Sequence, residues 1–510
     1  MNEVLLGWVL AHLRPGPETG MGPVTVAVLA REAVDLAPLV AVLPPGSSVR
    51  AHLLDGDLDR LHEDLAAAGR HDVVLDLGQG PRTAVRVPLV LPHVRRGGTL
   101  LVVLPRAAAA RAAVDALLDD VRALRVSGDD TGGDLDPPAR RRDPRGYPER
   151  DRHALAASIA AATVDGHRLA ITAGVATWSV VREARFDALL DRAPHLGRVL
   201  HREPAATWSR TAPFASNRPE EAPVADVGAP ALSLRVFEDV CVVRGNVAWT
   251  HDLVLPQAFR NPARRRPRTP LLADWLPGAV RDPGHPEPTP LAGTYLHADN
   301  ILRGHFGHAL TEQVSHLWAW ERVVADHDDV RVLLDVSRAP LAEWESPLLE
   351  AAGVPRDRVQ AMTGPVRVER LLATTPAYAI GRYAHPVLRP LHRRIGDALA
   401  AHSTLTDTPT RLFMTRRGTK RACHEQAGVE ALVGRHGFTV IAPEEHALPD
   451  QVALVRGAEV VAGFGGSGLF HIALTDRPTP VIAIASDNYP LANERLFAAL
   501  HDHPLSVVRG

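Results

Sequence analysis

The feature that most constrains the fold is a regular alternation of short apolar runs and helix-like segments in the last hundred residues. Strands are predicted at 411–415, 438–442, 459–462 and 480–484, and helices at 426–436, 448–456 and 492–501. Strand–helix repeats this short make successive strands parallel, because each helix returns the chain to the same edge of the sheet. Ligands of such sheets bind at the carboxyl ends of the strands. We therefore expect an α/β domain with its site at those ends.

The composition excludes several classes of protein. The chain has 510 residues, of which 45% are hydrophobic and 23% charged, as in a globular protein of about two to four domains. Its formal net charge of -2 gives no electrostatic reason to bind nucleic acid or an anionic membrane. No uncharged run reaches the roughly 18 residues that span a bilayer, and residues 1–13 lack the basic start of a secretory signal. We expect a cytoplasmic protein with no integral membrane segment.

The N-terminal region, 1–126, has its own strand–helix alternation. Strands are predicted at 24–29, 72–77 and 99–104, with a helix at 58–68. Residues 71–105 look like the second half of a methyltransferase-type Rossmann unit, but no Gly-x-Gly-x-x-Gly motif follows the first strand. We expect a small α/β Rossmann-like domain without catalytic function.

Further boundaries follow from composition. Residues 127–152 are rich in Gly, Pro and Arg and are predicted to be a linker. Residues 153–230 are predicted to form an additional α/β segment that ends in a Pro-rich linker. The rest of the chain is predicted to form two further domains, 231–404 and 405–510.

A basic cluster follows the predicted strand 411–415. It consists of Arg416, Arg417, Lys420 and Arg421. Cations at the carboxyl end of a buried strand are well placed to hold a diphosphate, because arginine forms charge-assisted, bidentate hydrogen bonds with phosphate oxygens. A solvated surface loop is the alternative interpretation.

A glycine-rich turn follows the predicted strand 459–462. Its residues include Gly465, Gly466, Ser467 and Gly468. Such a turn lets backbone N–H groups approach a phosphate or a sugar closely. Glycine-rich turns are common in α/β domains, so this motif gains its meaning from the basic cluster in the same sheet.

A third group lies on a predicted amphipathic helix at 306–324. A spacing of four places His308 and Glu312 on one face, with His316 one turn further, while the apolar stripe faces elsewhere. A His–carboxylate pair is suited to act as general base toward an acceptor hydroxyl. A metal site is conceivable, but the His-Glu-x-x-His spacing is absent. An exposed face with incidental histidines is the other interpretation.

A fourth group precedes the last predicted helix. Asn493 has the character of an N-cap residue. The functional alternative is that Glu494 or Tyr489 reaches a nucleotide, where a carboxylate accepts both ribose hydroxyls.

Together these residues resemble the family 61 glycosyltransferases over about residues 232–500. The matching pieces, in chain order, are Gly307-His308…Glu312, Thr415-Arg416-Arg417…Arg421…Glu425, Gly437-Phe438, Pro443-Glu444…Asp450-Gln451, Gly463…Gly466-Ser467-Gly468-Leu469 and Tyr489…Asn493-Glu494. Gly465 departs from the family, which often has His there, and His471 and His424 stand where Asn is common. These departures leave the identity of the donor open.

The resemblance implies a GT-B-type pair of Rossmann-like domains in the C-terminal half, preceded here by the additional small α/β domain. In that pair, 231–404 would be the acceptor-side half and 405–510 the half that binds the donor nucleotide. It also implies inverting transfer from a nucleotide sugar, commonly UDP-linked, with no essential metal and no cofactor besides that donor. Carried over to this chain, Arg416 and Arg421 would hold the donor diphosphate with the turn at 466–468. His308 or Glu312 would lie near the acceptor hydroxyl.

The predicted function is therefore a hexosyl- or pentosyltransferase whose partners are a nucleotide sugar and a glycan or other hydroxyl acceptor. Two alternatives stay open: a catalytically inactive protein that binds nucleotide sugars or glycans, and a methyltransferase that works through the N-terminal domain.

Overall fold

The chain forms two compact units. The computed structural model describes residues 3–13, 22–126, 147–224, 226–259, 262, 273–275, 278–280, 287–300, 302–337, 339–417 and 423–510. The first unit contains residues 1–198, 247–259 and 263–287, and the second contains 199–246, 260–262 and 288–510. Two stretches of the predicted part 231–404 thus group with the first unit. Most of the predicted linker, together with Lys420 and Arg421, lies outside the described residues.

The main sheet of the first unit has the strand order β2-β1-β3-β4-β6-β5. Strands β1 to β4 are parallel, whereas β6 runs antiparallel to both β4 and β5. The strands are β1 (Thr25–Ala30), β2 (Ser48–Leu53), β3 (His71–Asp76), β4 (Val94–Val103), β5 (Ile159–Asp165) and β6 (Arg168–Ala173). The helices are α1 (Glu3–Ala11), α2 (Ala37–Val42), α3 (Leu58–Ala68), α4 (Thr83–Val90), α5 (Ala108–Val126), α6 (Tyr147–Ser158) and α7 (Glu183–Arg192), with a 3-10 turn at Leu91–His93.

Both faces of this sheet are buried. Leu29 and Val74 belong to one apolar cluster, whereas their chain neighbours Val28 and Leu75 belong to another. Successive side chains of a strand point to opposite faces, so these near-continuous apolar runs cover both sides of a parallel sheet. The predicted strands at 24–29, 72–77 and 99–104 and the helix at 58–68 are confirmed.

Five short strands complete the first unit. They are β7 (Thr177–Val180), β13 (Val247–Thr250), β14 (Leu253–Val254), β15 (Ala273–Trp275) and β16 (Gly278–Val280), in the order β15-β16-β7-β14-β13. A 3-10 turn, Pro256–Ala258, follows β14.

The second unit contains two sheets. In the first, strands follow the order β12-β20-β17-β18-β19, and β8 pairs with β12. Strands β17 to β20 are parallel to one another, and β12 is antiparallel to β20. These strands are β8 (Arg198–Glu203), β12 (Leu232–Val243), β17 (Thr289–His297), β18 (Arg331–Asp335), β19 (Val359–Met362) and β20 (Val366–Thr374). Two separate antiparallel pairs are β9 (Ala206–Ser209) with β11 (Asp226–Ala229), and β21 (Tyr378–Ala379) with β22 (Tyr383–Ala384).

The other sheet of the second unit is parallel throughout and has the order β10-β27-β26-β25-β23-β24. Its strands are β10 (Phe214–Ser216), β23 (Arg411–Met414), β24 (Thr439–Ile441), β25 (Val460–Phe464), β26 (Val481–Ala485) and β27 (Leu505–Arg509). The four strands predicted in this region are confirmed, with the parallel direction expected from their spacing. Strands β10 and β27 were not predicted, and β10 lies nearly 300 residues before its partner β27 in the sequence.

The helices of the second unit are α8 (Glu345–Ala351), α9 (Leu388–Ala400), α10 (Gln426–Arg435), α11 (Leu448–Gly457) and α12 (Ala492–Leu500). Three 3-10 turns lie at Arg356–Arg358, Pro443–Glu445 and Ser467–Leu474. One apolar cluster includes residues of both sheets, such as Leu334 and Leu372 with Leu412 and Val461. The two sheets of this unit therefore share a continuous core. Within the described residues, no helix is both long and apolar enough to cross a bilayer.

The predicted amphipathic helix at 306–324 differs from expectation. It consists of an α-helical turn (Phe306–His308), a π-helical turn (Ala309–Gln313), a 3-10 stretch (Val314–Ala319) and an α-helix (Trp320–Asp326). Almost every side chain from 309 to 320 is buried, so the prediction of one polar face was wrong. The segment lies inside the unit, and the indole N–H groups of Trp318 and Trp320 donate to the Thr375 and Gly353 carbonyls.

Candidate functional site

Arg416 lies at the carboxyl end of β23 and contacts the glycine-rich turn that follows β25. Its guanidinium Nη2 donates a hydrogen bond to the Gly465 carbonyl over 2.7 Å. The guanidinium carbon also lies 5.6 Å from the centre of the Phe464 ring. Because β23 and β25 are adjacent and parallel, their carboxyl ends meet at one edge of the sheet. Arg416 and the glycine-rich turn therefore lie next to each other at this edge of the sheet.

The backbone at Arg416 is held by α10. The side-chain amide of Gln426 donates to the Arg416 carbonyl over 2.8 Å and to Glu430 over 2.8 Å. The Thr415 hydroxyl also donates to Glu430 and holds the pKa of that carboxyl below its usual value. These bonds fix the position from which the Arg416 side chain starts.

Arg417 points to a different set of partners. Its backbone N–H donates to Glu444 over 2.6 Å, and its Nε donates to Glu445 over 2.9 Å, with both side chains of the ion pair exposed. The Arg417 charge is thus matched by a neighbouring carboxylate. Of the predicted basic cluster, the described structure brings Arg416 to the turn and does not bring Arg417 there.

The glycines of the turn have two separate structural roles. A Cβ atom on Gly463 would lie 2.7 Å from the Met414 carbonyl oxygen, and one on Gly465 would lie 2.5 Å from Leu491 Cδ2. Those two positions are therefore too closely packed for a side chain. Gly466 has φ of +147°, a backbone conformation that L-residues rarely adopt. Packing and backbone geometry require glycine at these positions even without a ligand.

The turn leads directly into the 3-10 helix Ser467–Leu474. The first N–H groups of a helix have no acceptor within that helix, and they carry partial positive charge. Ser467 is exposed, and Gly468 is half-buried with only an ordinary contact to Pro443. The start of this helix is therefore open to an anion beside Arg416.

The segment 306–326 begins against the same turn. The Phe306 ring stacks on the His471 ring with centroids 4.4 Å apart and an angle of 12° between planes. A Cβ on Gly307 would lie 2.9 Å from Ser467 Cβ, so glycine is needed for this approach. Gly307 belongs to the Gly307-His308…Glu312 motif, and no function of this glycine is predicted from the sequence. Its role is to let the two helical starts meet.

His308 and Glu312 form the predicted pair. The distance between His308 Nδ1 and Glu312 Oε1 is 2.8 Å, and the side chains are 26% and 9% exposed. When Nδ1 carries the proton and donates to the carboxylate, Nε2 keeps its lone pair and is able to accept a proton. The carboxylate then stabilises the imidazolium that forms. The pair has the chemistry of a general base next to the glycine-rich turn.

His316 is not part of this group. Its Nδ1 lies 3.0 Å from the Thr374 hydroxyl, and the ring is buried, which lowers its pKa to about 4. The prediction that it shares a polar face with His308 was wrong, because the π-helical and 3-10 turns between them change the rotation per residue. The metal set of His308, Glu312 and His316 considered from sequence is therefore not assembled.

Glu494 is enclosed in the core of the second unit. Its side chain is fully buried, and Tyr489 OH donates to its Oε1 over 3.1 Å. The donor contact predicted for Glu494 is not supported by this position. Asn493 accepts hydrogen bonds from Tyr378 OH and the Gly381 N–H, so it links two segments. The N-cap prediction for Asn493 was wrong, since the cap position is Leu491.

His471 is a residue whose role the sequence analysis did not identify. Its Nδ1 donates to the Gly468 carbonyl over 2.8 Å, and burial lowers its pKa to about 4. It is therefore neutral near pH 7 and connects the 3-10 helix with Phe306. The sequence did contain a signal for the special role of His471, because the family 61 glycosyltransferases more often have Asn at this position.

The similarity of the whole chain to known proteins is too low to indicate its function. No curated protein matches the chain. Crystal structures of the MycE methyltransferase from the mycinamycin biosynthetic pathway, with Mg and SAH, are 14% and 15% identical in two crystal forms. The alignments cover 30% of this chain and 45% and 42% of MycE, with TM-scores of 0.22 and 0.21. The alignment thus spans less than half the length of MycE, and at these TM-scores the likeness supports no conclusion.

One segment does match a known family. The Glycosyltransferase 61 family model matches residues 306–482. This segment contains Arg416, the glycine-rich turn and the His308–Glu312 pair described above. The match covers about a third of the chain, and it supports a glycosyltransferase in general terms. Residues 306–482 are thus identified as a segment of the Glycosyltransferase 61 type.

Proposed function

We propose that this protein transfers a sugar from a nucleotide-sugar donor, UDP-linked, to a hydroxyl of a glycan or other acceptor. The transfer inverts the anomeric centre and needs no metal. In this proposal the two sheets of the second unit correspond to a GT-B-type pair, and the site belongs to their adjoining elements. One observation carries the proposal: Arg416, the turn at 465–468 and the start of the 306–326 segment adjoin one another.

The donor side of the proposal rests on charge. Arg416 is fixed by the α10 contacts to its backbone and by its bond to Gly465. Together with the N–H groups at Ser467 and Gly468 it offers positive potential to the leaving diphosphate. Lys420 and Arg421 follow Arg417 closely in the sequence and are proposed to add to it. Arg417 contributes less, because Glu445 matches its charge.

The acceptor side rests on the His308–Glu312 pair. His308 Nε2 takes the proton of the acceptor hydroxyl as the oxygen forms its bond to the anomeric carbon. The bond from that carbon to the diphosphate oxygen breaks at the same time, and the electron pair leaves with the nucleoside diphosphate. Glu312 stabilises the imidazolium through the 2.8 Å contact. A single displacement of this kind inverts the configuration.

The test compares two arginines at opposite ends of β23. Arg416→Ala is expected to weaken binding of the donor roughly 10- to 100-fold, because it removes one charge-assisted interaction with the diphosphate. Arg411→Ala is the matched control, since Arg411 lies at the opposite end of β23 and donates to the His436 carbonyl. Calorimetry with UDP-, GDP- and dTDP-sugars on the full chain measures both variants.

Two results would contradict this proposal. Equal donor affinities of the Arg416→Ala and Arg411→Ala variants would show that the donor does not bind at this edge of the sheet. If the donor binds but is neither transferred nor hydrolysed with any acceptor of a panel, the result would instead favour the alternative of a catalytically inactive protein that binds nucleotide sugars.

A further inference from the structure

The first unit has a cavity at the carboxyl ends of its parallel strands. The cavity has a volume of about 340 Å³ and lies where β1, β2 and β3 end. Strand β1 lies between β2 and β3 in the sheet. The chain runs from β1 to β2 on one side of β1, and it then crosses from β2 to β3 on the other side. The connections on the two sides of β1 diverge at this point, which opens a crevice that parallel sheets use for ligands.

Backbone hydrogen bonds join the ends of the three strands at the cavity. The Leu54 N–H donates to the Ala30 carbonyl, and the Leu77 N–H donates to the Leu29 carbonyl, each over 2.8 Å. Arg86, which lines the cavity, forms a buried ion pair with Asp76 at 2.9 Å. The charge of Arg86 is thus matched within the wall, and the strand ends are held in place before any ligand binds.

Two further arginines at the cavity have no acidic partner. Among the described residues, Arg31 has no hydrogen-bond or ion-pair partner, and its guanidinium lies against Gly80, where a Cβ would be 2.0 Å from Nη2. Arg82 donates to the Gly56 carbonyl over 2.6 Å and contacts no carboxylate within the described part of the chain. Two exposed cations at one cavity attract an anionic group, and guanidinium matches phosphate geometry.

Asp55 supplies a complementary group. Its Oδ1 accepts the Asp57 N–H over 2.9 Å, and its Oδ2 has no partner in the described structure. Asp57 itself is engaged, because it caps α3 through the Arg60 N–H and pairs with Arg185. Asp55 therefore offers a carboxylate at the end of β2, where neighbouring hydroxyls of a ribose are able to donate to it.

The remaining wall is apolar. Leu54, Leu61 and Pro81 line it, and they provide a surface against which a planar ring is able to pack. The cavity thus combines an apolar wall with one carboxylate and two cations that form no ion pair among the described residues. Its volume is at the lower end of the range for small-molecule sites, which is about 300–1,000 Å³.

We propose that this cavity binds a nucleoside phosphate. The base packs on the apolar wall, the ribose hydroxyls donate to Asp55, and the phosphate binds Arg31 and Arg82. This assignment is independent of the transferase proposal. S-adenosylmethionine is the poorer ligand, because its sulfonium is positive like the two arginines and the turn after β1 has no glycine for close approach.

The experiment separates this cavity from the donor site of the second unit. Calorimetry with AMP, GMP, CMP and UMP, and in parallel with S-adenosylmethionine, uses the full chain in an Arg416→Ala background. Arg31→Ala and Asp55→Asn are each expected to weaken nucleotide binding roughly 10- to 100-fold. Arg60→Ala is the matched control, because this exposed arginine belongs to α3 without lining the cavity. Glycosyl transfer by the Arg31→Ala variant with native Arg416 stays unchanged.

Three outcomes would overturn the proposal. The first is that none of the four mononucleotides binds in the Arg416→Ala background. The second is equal affinity of the Arg31→Ala and Arg60→Ala variants. The third is S-adenosylmethionine binding more tightly than every mononucleotide. Unchanged circular dichroism and melting temperature of the Asp55→Asn variant establish that a lost affinity is not a lost fold.

Discussion

The parallel sheets of the two units offer different chemistry at the same structural position. In the first unit β1, β2 and β3 end at a cavity with Arg31, Arg82 and Asp55. In the second unit β23 and β25 end at Arg416 and the glycine-rich turn. Both positions carry positive charge, but no histidine lines the cavity of the first unit, whereas a further helical segment brings His308 to the second. A sheet edge thus provides a place for binding, and catalytic chemistry needs an additional element.

The largest effect that distinguishes the two units is expected from pH. Burial lowers the pKa of histidines in both units, and the ordinary value of 6.5 applies once they unfold. Because the unfolded chain binds these protons first, stability is lost as pH falls from 6.5 toward 4. Each histidine with a folded pKa of about 4 contributes roughly 3 kcal/mol to that loss. In the second unit these are His316, His471 and His503 at about 4 and His297 and His392 at about 3, and burial also lowers the pKa of His501 well below its ordinary value. In the first unit they are His62 and His71 at about 4, and burial lowers the pKa of His93 well below its ordinary value. The second unit thus has six histidines with a strongly lowered pKa among the described residues and the first unit three.

The second unit is therefore expected to open first on acidification. Hydrogen exchange measured by mass spectrometry between pH 6.5 and 4 follows the amides of β23 to β27 against those of β1 to β4. His471→Gln removes one of these groups and should flatten the pH dependence of the second unit alone. Earlier exchange of the first unit would contradict this prediction.

The next largest effect tests the chemical difference between the two sites. His308→Ala is expected to lower kcat by about 10²- to 10⁴-fold, since it removes the proposed general base. Donor affinity should stay within about twofold, because His308 pairs with Glu312 and not with the donor groups. Steady-state kinetics and calorimetry on the same preparation measure both quantities. Full activity of the His308→Ala variant would show that His308 is not the general base.

A smaller effect tests how the catalytic element is attached. Gly307→Ala places a methyl group 2.9 Å from Ser467 Cβ and 3.0 Å from Phe470 Cε2, so the two helical starts must separate. We expect a loss of about 1–3 kcal/mol in the free energy of unfolding by urea, with a lower kcat. Gly434→Ala is the control, because open space surrounds this glycine of α10. That variant should gain about 0.5–1 kcal/mol.

Much of the fold in the last hundred residues was predictable from local pattern. The strands, the helices and the parallel direction between 411 and 485 follow from the period of apolar residues and the short connections. The turn of Gly437, with φ of +79°, follows from the preference of that conformation for glycine. The spacing of four predicted the His308–Glu312 contact for the same reason, since helical neighbours are set by local geometry.

The candidate site was less predictable, because its contacts join residues distant in sequence. The Gly307–Ser467 approach spans 160 residues, and the addition of β10 to β27 spans nearly 300. Asn493 likewise accepts hydrogen bonds from Tyr378 and Gly381, which are more than 110 residues away in the sequence.

The sequence by itself determined the α/β alternation, the strand ends at which Arg416 and the glycine turn lie, and the His308–Glu312 spacing. Only the tertiary structure decided that almost every side chain from 309 to 320 is buried and that His316 contacts Thr374. It also decided that Arg417 pairs with Glu445. The physical reason is the range of the interactions: hydrogen-bond periodicity and chain direction are fixed by a few neighbouring residues. Burial and close approach depend on whichever distant segment packs against them.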